Sequence, residues 1–279
     1  MSRPEFIAPP EVFYNNVEAR KYTFNSRMLN IQTEMTERAL ELLNLPEDQV
    51  SLILDVGCGS GLSGETVADA GHIWVGFDIS KDMLEVAQDR DTDGDLALAD
   101  AGQGAFYRPG VFDGVISISA IQWLCNADKK HHRPERRMQR FFTTLYTSLK
   151  RGARAVLQFY PSDATQVERL TAAAMKAGFT GGVVVDYPNS SKRKKFYMCL
   201  FAGTADAQVP AGLRDDGTPQ TVDAGDITFR RGAHRRIRSS DRPTKGSREW
   251  IMAKKELYRR RGVEVVNDSK YSGRRRRRL

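Results

Sequence analysis

Apolar runs and helical patterns alternate along residues 30–177. The apolar runs are short and nearly continuous, which predicts strands buried on both faces, and the segments between them repeat apolar residues at helical spacing. Pro46 is predicted to end the first helix. This alternation predicts right-handed βαβ units and a parallel sheet covered by helices. The predicted strands are 51–56, 73–78, 95–99, 113–119 and 153–160, and the predicted helices are 30–45, 62–71, 81–90, 135–149 and 164–177.

Two further apolar runs, 181–187 and 196–201, break this alternation. The residues between them, PNSSKRKK, are too few for a crossover helix, so the two runs are predicted to pair as an antiparallel hairpin. Five parallel strands followed by an antiparallel pair are typical of the Rossmann-like, seven-stranded class I methyltransferase fold. The predicted fold class is therefore α/β, with a parallel sheet and a C-terminal antiparallel hairpin.

Residues 204–279 differ from the rest of the chain in charge. They hold 20 of the 43 basic residues and 10 of the 35 acidic residues, so residues 1–203 are nearly neutral. A basic segment after a near-neutral body is typical of a nucleic-acid-binding appendage. We predict a methyltransferase domain over 1–203, with 1–45 as an N-terminal helical lid, and a basic, partly disordered RNA-binding region over 204–279.

The basic tail itself contains three different patterns. Residues 204–247 lack sustained periodicity and are predicted to be flexible. Residues 248–261 place Trp250, Ile251 and Tyr258 at the spacing of a basic amphipathic helix. The final run of arginines, Arg274 to Arg278, is interpreted as an RNA-binding or nuclear-targeting segment, with a purely solubilising tail as the alternative.

Composition excludes several other classes of protein. No run of about 18 apolar residues predicts a transmembrane helix, and the N-terminus lacks an apolar signal stretch. The three cysteines, Cys58, Cys125 and Cys199, are odd in number and widely spaced, so they fit neither a disulfide framework nor a zinc site. The four histidines fit no metal-ligand spacing, and no metal site is predicted. A reducing compartment, cytosol or nucleus, is expected.

The motif most informative about function is the glycine-rich turn in LILDVGCGSGLSG, residues 52–64, followed by Asp78 at the end of the next strand. Its glycines also fit the G-x-G-x-x-G pattern of dinucleotide sites. Asp55, however, stands two residues before Gly57, and a carboxylate there would repel a pyrophosphate. S-adenosylmethionine carries an ammonium and a sulfonium, which a nearby carboxylate favours. The motif therefore favours S-adenosylmethionine over a dinucleotide, and over a structural turn without a ligand.

Position in the predicted fold indicates which residues contact this cofactor. Asp55 and the turn glycines are predicted to cradle the methionine part, and Asp78 to accept two hydrogen bonds from the ribose. Asp100 follows the third strand and is predicted to accept from the adenine amino group, with a turn cap as the alternative role. The predicted cofactor-binding residues are Asp55, Gly57, Gly59, Gly61, Asp78, Ile79, Met83, Asp100, Ala101 and Ser117.

Two other segments are candidates to contact the substrate. Residues 116–128 leave the fourth strand at the carboxyl edge of the sheet, where ligands bind, and offer Ser119 and Trp123. The alternative role for Trp123 is packing in the core rather than contact with the substrate. Residues 13–23 interleave aromatic and basic side chains and are predicted to fold over the cofactor as a lid, with a plain surface helix as the alternative. The candidates in this second segment are Tyr14, Arg20 and Lys21.

No convincing acid–base pair or nucleophile is found in the sequence. Transfer of a methyl group to an amine or a hydroxyl usually requires a base, whereas a ring nitrogen with a free lone pair needs only to be held in line with the methyl donor. The sequence therefore favours transfer to a ring nitrogen.

These residues resemble one family of enzymes, the eukaryotic 18S ribosomal RNA guanine-N7 methyltransferases. The resemblance extends over nearly the whole chain and is weakest at about 204–245. SISAIQWLCNADKK and VVDYPNSSKRKKFY are its most specific strings, since the glycine motif is common to many methyltransferases. The other strings that carry it are FYNNVEARKY, ILDVGCGSGLSGE, VGFDIS, RAVLQFYP, KAGF and KKELYRRRG…YSGRRRR.

The resemblance implies methylation of one guanine in small-subunit ribosomal RNA and a role in maturation of that subunit. Tyr187 and Asn189, in the second of the two most specific strings, are further candidates to contact the substrate. The resemblance also implies a small zinc-binding activator protein that adds a strand beside residues 95–99, where an edge strand would expose unpaired backbone groups. Nuclear location, in nucleolus and nucleoplasm with some protein in the cytoplasm, is expected.

Two alternatives to this enzyme remain from the residues alone. One is a small-molecule methyltransferase, against which the basic segments 128–137 and 192–195 argue, because small substrates need no such surface. The other is a non-catalytic pre-ribosomal assembly factor on a methyltransferase scaffold. The intact glycine turn and Asp78 favour cofactor binding and leave turnover open.

Overall fold

The computed structural model describes residues 3–46, 48–190, 192–204, 208–220, 247–260 and 265–268. The chain divides into two compact units, Met1–Thr221 and Val222–Leu279. Residues 221–246, which belong to the predicted flexible stretch 204–247, and the terminal arginines lie outside the described residues.

The first unit contains one seven-stranded sheet in the order β3-β2-β1-β4-β5-β7-β6. Strands β1 to β5 are parallel, and β7 is antiparallel to both β5 and β6, as the hairpin prediction requires. The predicted fold class is thereby confirmed, and the third strand lies at the sheet edge as expected. The strands are β1 Leu52–Val56, β2 Ile73–Asp78, β3 Asp95–Leu98, β4 Phe112–Ile118, β5 Leu149–Phe159, β6 Phe179–Asp186 and β7 Lys195–Ala202.

Helices lie between the strands and before the first one. The first predicted helix starts earlier than expected, because Asn25 accepts hydrogen bonds from the N–H groups of Arg27 and Met28 and caps it. It also ends earlier, at Leu43, since Asn44 adopts a left-handed conformation with φ 49°. Pro46 therefore does not set its end. The helices are α1 Pro10–Phe13, α2 Asn16–Phe24, α3 Ser26–Leu43, α4 Leu62–Asp69, α5 Lys81–Asp89, α6 Pro134–Ser148, α7 Ala164–Lys176 and, in the second unit, α8 Arg248–Arg260.

Two apolar layers cover the two faces of the sheet. Leu54 and Val115 pack with the apolar residues of α6 and α7, whereas their neighbours Ile53 and Ile116 pack with those of α3 and α4. This division follows from the two-residue period of a strand, which sends successive side chains to opposite faces. The near-continuous apolar runs are therefore explained by burial on both sides.

Residues 208–220 correct the prediction of flexibility over 204–247. Leu213 donates its N–H to the buried Asp186 carboxylate at 2.7 Å, and its carbonyl accepts from Tyr187 N–H at 2.8 Å. The Asp186 carboxylate also pairs with the Arg38 guanidinium, at 2.9 Å between Oδ2 and Nε. Sequence periodicity misses such a segment because polar and backbone hydrogen bonds, rather than an apolar face, attach it to the sheet.

None of the helices in the described residues is long and apolar enough to cross a membrane. Within the same residues, no group of three or more His, Cys, Asp and Glu side chains is arranged to hold a metal ion. The three cysteines are free and buried.

Candidate cofactor and substrate site

A cavity of about 1040 Å³, counting its open mouth, lies at the carboxyl ends of β1, β2 and β4. The strand order reverses direction there, which is where open α/β sheets bind ligands. Residues of the N-terminal segment and of the loop after β4 complete its wall. The predicted site residues that line it are Tyr14, Gly57, Gly59, Asp78, Ile79, Met83, Asp100, Ala101, Ser119 and Trp123.

The glycine turn forms the floor of the cavity next to β1. Gly57 and Gly59 have φ of 72° and 53°, a region that other residues rarely adopt. A Cβ atom on Gly57 would lie 2.4 Å from Cβ of Ala120, so the turn packs directly against the segment after β4. Gly61 also has a positive φ, of 79°, but it is the N-cap residue of α4, lies outside the cavity wall and approaches Thr92.

Asp78 ends β2 with its carboxylate in the cavity wall. Oδ2 accepts from Gly59 N–H at 2.9 Å and Oδ1 from Ser80 N–H at 2.8 Å. Burial raises the pKa of this carboxyl, and these N–H donors oppose that shift. A carboxylate has about four lone-pair sites, so the two donors leave capacity for two more.

Asp55 lies behind the cavity wall rather than in it. Its Oδ2 accepts from the Ser63 hydroxyl, and Ser63 itself lines the cavity. Its Oδ1 is buried with no hydrogen-bond partner among the described residues. Burial raises the pKa of Asp55 to about 7, and the Asp78 charge adds to this effect while the Ser63 hydrogen bond opposes it. A partly satisfied carboxyl one layer behind the cavity favours a cation within it.

Asp100 is held by an arginine that the sequence analysis did not identify. Arg137, from α6, binds its two oxygens at 2.8 and 2.9 Å. Oδ1 also accepts from Gly102 N–H at 2.8 Å, which is the cap geometry considered as the alternative role. Burial would raise the pKa of Asp100, but the Arg137 and Gly102 hydrogen bonds outweigh it and lower that pKa. The side chain remains in the cavity wall, so capping and ligand contact are compatible.

The segment after β4 places Ser119 and Trp123 on the opposite wall. Ser119 has φ 59°, and its hydroxyl donates to Gln158 Oε1 at 2.8 Å. Trp123 is 9% exposed and packs edge-on against Tyr14 at 6.2 Å between ring centroids. Burial raises the pKa of Tyr14 to about 12, so its hydroxyl is neutral. Ser117, by contrast, is buried away from the cavity and donates to the Val56 carbonyl at 2.8 Å.

Four predicted substrate residues lie away from this cavity. Arg20 and Lys21 are exposed on α2, where they pair with Asp89 and Glu18. Tyr187 and Asn189 lie in the turn between β6 and β7, and Asn189 lines a separate groove with Arg214. Helix geometry explains why Arg20 and Lys21 face away from the cavity. Tyr22 on the same helix lines the cavity, and with 3.6 residues per turn its two neighbours point in other directions.

Several residues in the wall were missed by the sequence analysis. Tyr22 and Gln32 both line the cavity and hydrogen-bond to each other at 2.5 Å, although ten positions separate them. His132 and Arg137 lie in a stretch that was interpreted only as basic surface. Nothing in local periodicity indicates that these residues turn inwards. Tyr22 belongs to the segment 13–23 that was predicted as a lid, whereas the wall residues that were not predicted include Glu11, Gln32, Asp128, His132 and Arg137.

The fold and this cavity define the class: the chain is a methyltransferase of the seven-stranded α/β class. A family described as "Methyltransferase domain" matches residues 54–157, and one described as "Methyltransferase involved in Williams-Beuren syndrome" matches residues 200–278. Among solved structures, the fold is similar to Haemonchus contortus phosphoethanolamine N-methyltransferase 2 in complex with S-adenosyl-L-methionine. That likeness has a TM-score of 0.52 and 16% identity, and covers 73% of this chain and 61% of that one.

Relatives identify the family within this class. The chain is 57% identical to the 18S rRNA (guanine-N(7))-methyltransferase of Mus musculus, over 98% of this chain and 96% of that protein. It is 49% identical to the 18S rRNA (guanine(1575)-N(7))-methyltransferase of Saccharomyces cerevisiae, over 99% of each. The chain belongs to the 18S rRNA (guanine-N(7))-methyltransferase family, as its sequence motifs predicted.

Proposed function

We propose that the protein transfers a methyl group from S-adenosylmethionine to N7 of one guanine in 18S ribosomal RNA during maturation of the small subunit. The observation that carries this proposal is the 57% identity to the mouse relative over 98% of this chain. The cavity described above supplies the chemistry that such a reaction needs.

The residues around the cavity fit S-adenosylmethionine, which supplies an electrophilic methyl group on a sulfonium when bound. Asp78 retains acceptor capacity for the ribose hydroxyls beyond its bonds to Gly59 and Ser80. The buried, incompletely paired Asp55 favours the cationic methionine end. Asp100 and Ala101, after β3, are suited to the adenine edge.

Transfer to guanine N7 agrees with the side chains in the wall. N7 carries a lone pair and no proton, so no residue has to act as a base. The protein only has to hold the base in line, which Tyr14 and Trp123 can do from one wall of the cavity. Methylation leaves a positive charge on the purine, and aromatic faces attract such a charge.

A direct test uses the full chain, S-adenosylmethionine labelled in its methyl group, and small-subunit RNA from cells that lack the protein. The proposal predicts label in 7-methylguanosine after nuclease digestion. Cofactor binding without transfer would instead favour the non-catalytic assembly factor. Transfer only to small molecules added beside the RNA would favour a small-molecule methyltransferase.

The affinity for S-adenosylmethionine is expected to rise as the pH is raised through about 7. The pKa of Asp55 is raised to about 7 by burial, so its carboxyl is mainly neutral below that pH and ionised above it. Only the ionised form attracts the cationic methionine end. Calorimetry from about pH 6 to about pH 7.5 should show this rise in the wild type and a smaller rise in Asp55→Asn, in which only other titrating groups such as Asp78 remain. A constant wild-type affinity would contradict the role assigned to Asp55.

We also propose the zinc-binding activator as a partner along β3. Ala99 donates its N–H to the Asp78 carbonyl in β2, so the backbone alternation of a strand turns the N–H groups of Leu96 and Leu98 outwards. Leu98 is 60% exposed, and Phe106 nearby in the chain is 76% exposed. An open edge that carries the exposed Leu98 side chain is suited to strand addition.

The basic tail is proposed to bind RNA and to direct nuclear entry. In α8 the Lys254 ammonium lies 5.0 Å from the Trp250 ring centroid and 5.8 Å from that of Tyr258. Basic side chains bind the phosphates of a nucleic acid, and aromatic side chains stack on its bases.

Truncation after Gln220 is expected to weaken RNA binding and flatten its salt dependence, because residues 230–279 hold 19 basic and five acidic residues. The cut is placed after residue 220 because residues 208–220 bind the sheet. S-adenosylmethionine affinity should be unchanged, which serves as the control. RNA titrations over a range of salt concentrations measure the slope, and equal slopes would show that the tail only solubilises.

A further inference from the structure

Basic and aromatic side chains continue from the cavity along the carboxyl edge of the sheet. The end of β4 leads into the cavity wall at Ser119, whose N–H donates to the Gln158 carbonyl in β5 at 3.0 Å. Beyond β5 the order is β7 and then β6. Strands are spaced by about 4.8 Å, so the end of β6 lies about 14 Å from the end of β4. The edge is therefore short enough for a single molecule to span it from the cavity.

Two cation–aromatic pairs stand on this edge. Tyr160 directly follows β5. Lys195 is the first residue of β7, and its ammonium lies 5.2 Å from the centroid of the Tyr160 ring. Tyr187 directly follows β6, and the Arg193 guanidinium lies 3.9 Å from its ring centroid. Strand register places the pairs side by side, since Lys195 is opposite Asp186. We refer to Tyr160, Lys195, Tyr187 and Arg193 as the edge track.

The outer pair of the edge track is fixed in place by the core. Tyr187 has φ 53°, an unusual conformation for a bulky residue, and its N–H donates to the Leu213 carbonyl at 2.8 Å. Asp186, 1% exposed, binds Arg38 from α3 and the Leu213 N–H. Arg193 donates to the Asp215 carbonyl at 3.3 Å. Tyr187 is thus kept in a strained conformation beside a buried ion pair, and such strain is typical of functional surfaces.

We propose that the edge track binds the single-stranded nucleotides next to the target guanine, on one side of it. The proposal rests on the proposed function, because it assumes an RNA substrate in the cavity. The Arg193 guanidinium already covers one face of the Tyr187 ring, so a base would stack on the outer side of this pair, and the nearby Lys195 ammonium would meet a phosphate. The track ends at the hairpin, where Asp215 and Asp216 line the neighbouring groove and would repel a phosphate.

The first experiment measures methyl transfer by the full chain. Tyr187→Ala combined with Arg193→Ala is expected to raise the KM for small-subunit RNA about 10-fold, with kcat and S-adenosylmethionine affinity unchanged. Tyr187→Phe keeps the aromatic face and should retain the wild-type KM. A control at the opposite edge, Arg151→Ala with Lys176→Ala, removes two charges and should leave the KM within about twofold. Equal KM values for the track variant and this control would overturn the proposal.

The second experiment separates this inference from the proposed function. RNA oligonucleotides that carry 4-thiouridine one to three positions from the guanine are expected to crosslink to the peptides that contain residue 160 or residues 187–195. The crosslink does not need methyl transfer, so it still tests the track if the chain proves not to methylate RNA. Crosslinks confined to other peptides would contradict the proposal. So would a track variant that binds naked RNA normally but not the pre-ribosomal particle, because the track would then contact a protein.

Discussion

Replacing Asp78 with lysine is expected to abolish S-adenosylmethionine binding in a chain that remains folded. Two charge-assisted hydrogen bonds to the ribose would be lost, each worth roughly 1.5–3 kcal/mol, and an ammonium would face the cationic cofactor. The combined loss corresponds to at least about a 100-fold fall in affinity. Calorimetry on the purified variant measures it.

The controls for this experiment follow from the structure. Glu168→Lys makes the same charge change at an exposed position on α7 and should bind normally. Asp78→Asn keeps the shape of the side chain and one acceptor oxygen, so it disturbs the turn at Gly59 less than lysine does. Its affinity for S-adenosylmethionine should lie between those of Asp78→Lys and Glu168→Lys. Unchanged affinity in a folded Asp78→Lys variant would defeat the assignment. Gly57 is a poorer choice, because a side chain there collides with Ala120 of the protein itself.

Expression of the chain without its proposed partner is expected to give poorly soluble protein, and co-expression with the zinc-binding activator to rescue it. The open edge of β3 and the exposed Leu98 and Phe106 are the physical cause. Leu98→Pro removes one outward N–H donor without removing a hydrogen bond to β2, so it should block rescue. Leu98→Thr keeps that donor and should still be rescued in part.

Soluble yield and size-exclusion chromatography measure this dependence. A lone chain that is soluble, monomeric and fully active would contradict the partner proposal. Equal rescue of Leu98→Pro and wild type would still support a partner, but it would exclude strand addition along β3.

Elements with strong apolar periodicity were predictable from the sequence, and those fixed by polar contacts were not. β2 and the β6–β7 hairpin were predictable because each is a short apolar run that becomes buried by pairing into the sheet. The end of α3 depends instead on the left-handed Asn44, and the attachment of 208–220 depends on the buried Asp186. Such features join residues that are far apart in the chain or depend on one backbone angle.

Some residues of the candidate site could likewise be predicted from the sequence, and others could not. Asp78 and the glycine turn could be placed because strand ends of a parallel sheet share one edge. Arg137 could not, because its contact with Asp100 spans 37 positions and joins two different elements. Arg20 and Lys21 show the opposite error, since interleaved basic and aromatic residues on one helix face different directions.

The central claim, that this protein methylates a guanine N7 in 18S ribosomal RNA, is tested most directly by chemical reduction and strand cleavage at N7-methylguanine. The RNA is taken from cells that lack the protein and express the wild type, Asp78→Lys or Glu168→Lys. The account predicts cleavage at one guanine with the wild type and Glu168→Lys, and none with Asp78→Lys or without the protein. Cleavage at the same guanine in cells without the protein would contradict it.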